Sequence, residues 1–417
     1  MAKTLVYELY PPAWPGGLKQ MTEHLKRIAA LGCVDYVWLA PIYPSPGYDH
    51  GYDIANYVDV DSRYGTLADL AQFVEHAHKL GLKVLMDLVL NHTSTKHEWF
   101  KSSPSYYCWS NRDYPKWHNL FDEGPAWEWN EDCMANGHHL FYCHLFHKKQ
   151  ADLNWFPDGQ HINENLVMEF RDIVDFWMNE YGVDGFRLDV PQSINKDFTN
   201  ESLELNDLLR GEKSCQVINA IFTGEDAPTT QSCEKPFLMV ELLDPSFGDI
   251  VKMYGEKVPV VDFCLNILVK DLTDKSFGDY SWAVTKSCAL SNFMLDLESH
   301  DSTRILSRWL LAGRPWVSGM ATAMLTHDDP EGICVFQGQE LGLRNPNAKE
   351  LPDKMMLELD AQTKMRYEKG VSLTVLRHAS RANARVPIPL DKYTSDNRRL
   401  KRFSKVLKDW KDGKKTK

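Results

Sequence analysis

The chain has 417 residues, 43% of them hydrophobic, and a formal net charge of −11. That length and apolar fraction suffice for one large α/β domain with insertions, and they exclude a disordered or fibrous protein. The negative charge supplies no field to attract phosphates, so nucleic acid is excluded as the expected partner and a neutral substrate fits better.

In chain order, the first strand-like run is Leu5 to Leu9, followed by Tyr10-Pro-Pro-Ala-Trp-Pro-Gly-Gly17, which is not a phosphate-cradling glycine fingerprint. Apolar residues at helical spacing cover Met21 to Leu31, and a second strand-like run covers Tyr36 to Ala40. Gly65-Thr66 offers a cap for a helix over Leu67 to Leu80, which leads into a third run, Val84 to Val89. From Thr93 to Gln160 the rhythm breaks into a Trp-, Tyr-, His- and Asp-rich stretch, too long for a loop unless it folds as a subdomain walling a cleft. The alternation then resumes with a helix over Asn165 to Tyr181 and strands at Gly185 to Asp189, Phe237 to Glu241, Val260 to Cys264, Phe293 to Leu297 and Ile333 to Gln337. Leu400, Phe403, Leu407 and Trp410 share one face of a last helix over Arg398 to Trp410, before a basic tail.

Eight nearly all-apolar strands alternating with helices predict a closed (β/α)8 barrel, with strands buried on both faces. Its expected divisions are 1–92 for the first part of the barrel, 93–160 for the inserted subdomain and 161–417 for the remainder with the last helix and tail.

Aromatic residues reach 12%, with 13 Trp; most pack a core, and some offer flat faces to sugar C–H groups. Nine cysteines between Cys33 and Cys334 form no CxxC pair, which argues against a disulfide framework and a zinc site. Met1 leads straight into the first strand, and no run is long enough to span a bilayer. A cytoplasmic protein without membrane partner, metal or cofactor is the expectation.

Several strands end in ionisable groups. Asp189 closes Asp184-Gly-Phe-Arg-Leu-Asp189, and Arg187, two positions earlier, points the same way in an extended strand. The adjacent cation is expected to keep Asp189 ionised, as suits a nucleophile. Glu241 and Asp301 end two further runs. Three acids on three strands suit glycoside hydrolysis, in which one carboxylate attacks and one carboxylic acid protonates the leaving oxygen.

The chain resembles the α-amylase superfamily of retaining glycoside hydrolases, and within it the oligo-1,6-glucosidase, dextran glucosidase and α-glucosidase group. The resemblance rests on five blocks in order: Asp87-Leu-Val-Leu-Asn91-His92, Gln150-Ala-Asp152-Leu-Asn154-Trp155, Gly185-Phe-Arg187-Leu-Asp189-Val190, the run ending at Glu241, and Glu298-Ser-His300-Asp301. It implies Asp189 as nucleophile, Glu241 as general acid and then base, and Asp301 as the group that binds sugar hydroxyls and stabilises the transition state. It implies His92 and His300 as hydrogen-bonding partners of the sugar, with Asp49 and Tyr52 holding its non-reducing end. Either Arg381 or Arg385 is the arginine paired with Asp49. By the same resemblance Asp87 and Asn91 brace the end of the third strand, while Asp53 reads equally as a turn-capping carboxylate.

Val190 directly after the nucleophile tilts the implied specificity toward α-1,6 bonds, against the plainer reading of a β-branched strand residue. Three departures stand out. The acidic calcium loop of close relatives is replaced by Pro11 to Gly17, Ser299 stands where Asn usually precedes His-Asp, and the family's carboxyl-terminal β-sandwich is expected to be absent. The last of these leaves a face for a partner subunit, so a homo-oligomer is among the expectations. The implied function is a retaining exo-α-glucosidase acting on short neutral oligosaccharides. The alternatives on the same barrel are a sucrose- or trehalose-type glucosyl hydrolase, an isomerase or a transglucosylase. From another class comes a catalytically silent binding or assembly subunit, weighed against by the retention of all three acids.

Overall fold

A computed structural model describes residues 3–135, 138–229, 235–243, 253–266, 292–308, 331–389 and 398–414. Lys415 and Lys417 of the expected basic tail, and the stretches 244–252, 267–291 and 309–330 between the later strands, lie outside the described residues.

The expected barrel is present. Its strands are β1 (Thr4–Leu9), β2 (Tyr36–Leu39), β3 (Lys83–Val89), β9 (Gly185–Asp189), β10 (Phe237–Leu242), β11 (Phe263–Asn266), β12 (Phe293–Asp296) and β13 (Gly332–Phe336). They close in that order, with β13 beside β1, and every neighbouring pair is parallel. Five further strands lie between β3 and β9, with all their residues but His92 within the stretch 93–160 expected to be inserted: β4 (His92–Ser94), β5 (Trp109–Ser110), β6 (Trp127–Ala135), β7 (His138–Cys143) and β8 (Gln150–Asp152). They form a β4–β8 pair and a β5–β7–β6 sheet, both antiparallel.

The two-residue period of a strand sorts the side chains into two cores. Val6, Trp38, Leu85, Met239, Leu265, Met294 and Cys334 fill the barrel interior. Their neighbours Leu5, Val37, Val84, Leu238, Cys264, Leu295 and Ile333 face the helical layer. Two positions beyond three interior residues, the same parity delivers charge: Glu8 follows Val6, Asp87 follows Leu85, and Glu241 follows Met239. The upper layer of the interior is therefore polar by the same rule that makes the middle layer apolar. Gly185 starts β9 because a Cβ there would stand 2.0 Å from the Phe237 carbonyl oxygen.

Most boundaries shift from the sequence reading by a residue or two, and two element starts shift by three or four. The sixth barrel strand begins at Phe263 rather than Val260, because Val258 and Val261 close a turn (Val261 N–H to Val258 O, 3.0 Å) before Asp262 N–H engages Leu238 O at 2.8 Å. An apolar run that spans turn and strand carries no mark of where pairing starts. The first helix begins at Gly17, four residues before Met21. The helix over Leu67–Lys79 is capped as expected, with Thr66 and Asp69 exchanging side-chain and backbone hydrogen bonds. The last helix, Arg398–Lys411, packs on the amino-terminal side of the barrel, where Ser404 Oγ donates to Leu31 O (2.8 Å) and Lys411 Nζ to Cys33 O (2.8 Å).

Lys196 ties the insertion to the barrel. Its buried ammonium lies 3.1 Å from Asp152 on β8 and donates to Asn91 Oδ1 at 2.6 Å. Among the described residues, no helix is long and apolar enough to cross a membrane.

Candidate active site

Arg187 is the hub. It is wholly buried, and its guanidinium donates from Nη1 to Asp87 Oδ1 (2.6 Å) and Asp189 Oδ1 (2.7 Å), and from Nη2 to Glu241 Oε2. Carboxylates from β3, β9 and β10 thus share one cation at the carboxyl ends of their strands. A planar fork with donors on two nitrogens suits this role better than a point charge.

Arg187 pairs with Asp189 as expected, but it is not the largest influence on that carboxyl. Burial is the largest influence and raises the Asp189 carboxyl well above its usual range; Glu241, Asp87 and Asp301 push the same way, and Arg187 opposes them. Asp87 is raised for the same reason. Three carboxyls on one guanidinium leave an excess of negative charge, so the cluster favours holding a proton.

Asp301 sits in a different field. Burial works against its ionised form, but His300, Arg381 and Arg385 together hold its carboxyl well below the usual range. Arg381 Nη1 and Arg385 Nη2 donate to its Oδ1 at 3.0 and 2.7 Å, and His300 Nε2 lies 3.2 Å from Oδ2.

The two arginines are distinguishable here. Arg381 Nη2 lies 3.6 Å from Asp49 Oδ1, while Arg385 turns to Asp301, the His300 carbonyl (3.0 Å) and the Leu359 carbonyl (3.2 Å). Arg381 is therefore the arginine beside Asp49. Asp360, missed in the sequence, accepts from Arg381 Nε (3.2 Å) and from its backbone N–H (2.9 Å). Both Asp49 Oδ1 and Arg381 Nη2 are buried without a hydrogen-bond partner, so one acceptor and one donor face each other across a gap. Burial lifts Asp49 to about 6 against the pull of the two arginines.

The Asp49 loop is braced by Asp53, whose carboxylate accepts from Ser45 Oγ (2.8 Å), Tyr48 N–H (2.9 Å) and Asp49 N–H (3.0 Å). The turn-capping reading of Asp53 is the one its contacts fit. Asp87 and Asn91 are likewise internal: Trp38 Nε1 (3.0 Å) and Tyr52 Oη (3.2 Å) also donate to Asp87, and Asn91 Nδ2 donates to Asp152 Oδ1 (2.9 Å).

The two histidines differ in charge. Burial, aided by Lys196, pushes His92 down to about 3; its ring nitrogens lie 3.0 Å from Gln150 Nε2 and 3.1 Å from Asn91 Nδ2. For His300, burial pushes downward too, yet Asp301 and Glu8 outweigh it and lift the ring to about 9. Tyr52 lies between the clusters, with its hydroxyl 2.8 Å from His300 Nε2 and 3.4 Å from Arg187 Nη1.

Val190 follows Asp189 with φ 28° and ψ 57°, a strained backbone for a β-branched residue. Ser193 Oγ donates to its carbonyl at 2.6 Å, and its side chain is buried with Trp117, Leu145, Phe146 and Leu208. The insertion thereby packs onto the residue after Asp189. Phe146 lies 5.2 Å from the His92 ring, and Arg381 stands over the Phe121 ring at 5.4 Å; neither aromatic carried a signal in the sequence beyond its place in an aromatic-rich stretch.

The profile described as alpha amylase, catalytic domain, matches residues 6–406. The chain is 32% identical over 438 residues to the trehalose-6-phosphate hydrolase of Bacillus subtilis (strain 168), covering 93% of this chain and 74% of that protein. It is 30% identical over 443 residues to the glucan 1,6-alpha-glucosidase of Streptococcus dysgalactiae subsp. equisimilis, covering 98% and 77%. Among solved structures, the trehalose-6-phosphate hydrolase of Bacillus licheniformis superposes with a TM-score of 0.77 at 26% identity, over 99% of this chain and 83% of that one.

Proposed function

The chain belongs to the α-amylase family of glycoside hydrolases, and from that premise we propose that it is a retaining, exo-acting α-glucosidase that hydrolyses short α-glucosidic oligosaccharides, with a tilt toward α-1,6 linkages. The observation that carries this reading is the sharing of Arg187 by Asp189 and Glu241. Two carboxyls on one guanidinium favour the short separation of a retaining pair, about 5–5.5 Å, over the roughly 6.5–9.5 Å that leaves room for an attacking water.

In the proposed reaction Glu241 carries the proton that the cluster favours holding. Asp189, left with Arg187, attacks the anomeric carbon while Glu241 protonates the departing oxygen. Glu241 then deprotonates the water that cleaves the β-linked glucosyl ester. Asp301, kept ionised by its three cations, stabilises positive charge at the ring. The partnerless Asp49 Oδ1 and Arg381 Nη2 supply an acceptor and a donor for hydroxyls at the non-reducing end, which favours exo action. The tilt toward α-1,6 bonds rests on Val190 and on relatives named glucan 1,6-alpha-glucosidase and oligo-1,6-glucosidase. A reducing, cytoplasmic setting is part of the proposal, supported by free buried thiols at Cys33, Cys108, Cys143 and Cys215.

A second reading, hydrolysis of trehalose 6-phosphate, is favoured by the name of the 32% identical relative. Against it stands the engagement of both arginines near the site with Asp301. A panel of isomaltose, maltose, sucrose, p-nitrophenyl α-glucoside and trehalose 6-phosphate, with product configuration followed by NMR, decides between them. The proposal expects α-glucose released first and isomaltose preferred; turnover of the phosphorylated sugar alone selects the second reading, and inversion or no turnover at all overturns both.

A further inference from the structure

We propose that Glu8 is a positioning residue of the sugar site, holding the His300 ring so that its Nε2–H points at Tyr52 and Asp301. The inference rests on the glycosidase reading and adds a residue to it.

Glu8 lies on β1, two positions past the interior residue Val6, and is wholly buried. Its Oε1 is 2.5 Å from His300 Nδ1 and 3.4 Å from the His300 backbone N–H, while Oε2 has no hydrogen-bond partner. A carboxylate on one ring nitrogen fixes what the other nitrogen does, because Nδ1 must carry a proton to bond it. The ring plane is fixed as well. Tyr10 and Tyr52 sandwich it, with centroids at 5.2 and 5.4 Å and interplanar angles of 8° and 10°, and Trp38 meets it edge-on at 5.9 Å. Only Nε2 is left to face the site, 2.8 Å from Tyr52 Oη and 3.2 Å from Asp301 Oδ2. Tyr52 in turn donates to Asp87 Oδ2 at 3.2 Å.

The charged and titratable groups around the ring come from six elements. They are Glu8 on β1, Tyr10 just after it, Tyr52 after β2, Asp87 on β3, Asp301 after β12, and Arg385, whose Nε donates to the His300 carbonyl at 3.0 Å. Arg187 reaches this group through Tyr52. Glu8 and Asp301 are the two that raise His300 to about 9 against burial. A doubly protonated ring gives Asp301 a permanent partner and keeps an N–H on the sugar side; a neutral ring bonded through Nδ1–H to Glu8 presents a lone pair there instead.

The test is an NMR titration of the full chain without substrate, following the His300 imidazole signal identified by its absence in His300→Gln. The wild-type ring is expected to titrate above about pH 8, and Glu8→Gln to lower that midpoint by about one unit or more. Loss of the protonated form at lower pH moves the alkaline limb of kcat/KM in Glu8→Gln toward acid, with kcat falling about 10-fold or more and Glu8→Asp restoring part of it. A wild-type midpoint below about pH 7, or a Glu8→Gln midpoint within about 0.3 unit of wild type, overturns the inference. If Glu8→Gln does not fold, the wild-type midpoint decides alone. A chain inactive on every glucoside defeats the glycosidase reading, and the titration still decides the role of Glu8.

Discussion

Replacing Arg187 with Gln keeps most of the side-chain volume and one amide donor but removes the cation from between Asp87, Asp189 and Glu241. Each of these carboxyls is nearly or wholly withdrawn from water, so they cannot recover by solvation what they lose in partnership. Breaking a buried pair by removing one partner costs about 3–5 kcal/mol. At about 2 cal/mol/K of unfolding entropy per residue, that corresponds to about 3–6 °C in Tm for a chain of this length. The sign with pH follows from protonation. In the variant Asp87 and Asp189, already raised by burial, rise further, so the folded state binds more protons than the unfolded chain, and stability falls as pH rises. The deficit relative to wild type is therefore smallest near pH 4–5, where the cluster is protonated, and grows toward about pH 8. Thermal and urea denaturation of both proteins across that range is the assay. A deficit under about 1 kcal/mol, or one that is flat with pH, refutes the idea that a single guanidinium stabilises the carboxyls of three strands at once.

Glu241→Gln removes the proton donor but leaves the nucleophile: hydrolysis of isomaltose is expected to fall by about 10³-fold or more, while α-glucosyl fluoride, whose leaving group needs little protonation, loses far less. Equal losses on both substrates count against Glu241 as the acid. With Asp49 lifted to about 6, the acid limb of kcat/KM is expected to include its ionisation; Asp49→Asn removes that limb and raises KM more than it lowers kcat, which pH profiles of both proteins check. Lys196→Met deprives Asp152 of its buried ammonium. A loss of about 3–5 kcal/mol is expected, together with early proteolysis within residues 93–160. Limited proteolysis indistinguishable from wild type speaks against Lys196 as the tie between insertion and barrel.

Much of the architecture can be read in the letters. Strands such as Val84 to Val89 are covered on both faces, so their apolar runs stand out, and the parity of each run points its terminal acid inward. Parity also exposes Glu8, two residues past Val6, though only the folded chain shows that His300 waits for it. The start of the sixth barrel strand was legible only approximately, because valines continue through the preceding turn. The choice between Arg381 and Arg385 was not legible: four residues apart in a short irregular segment, they are sorted by Asp49, Asp360 and the carbonyls of His300 and Leu359, which the sequence places far away. The field around Asp189 is only partly legible for a related reason. A sequence shows the arginine two positions away, but not the two further carboxylates from β3 and β10 that compete for it.

The most direct measurement is covalent. An activated fluorinated α-glucosyl substrate that forms the ester quickly and hydrolyses slowly is incubated with the chain, and peptides are mapped by mass spectrometry. One glucosyl label on Asp189, absent in Asp189→Asn, is the predicted result; a label on another side chain, or prompt turnover with inverted product and no adduct, contradicts it.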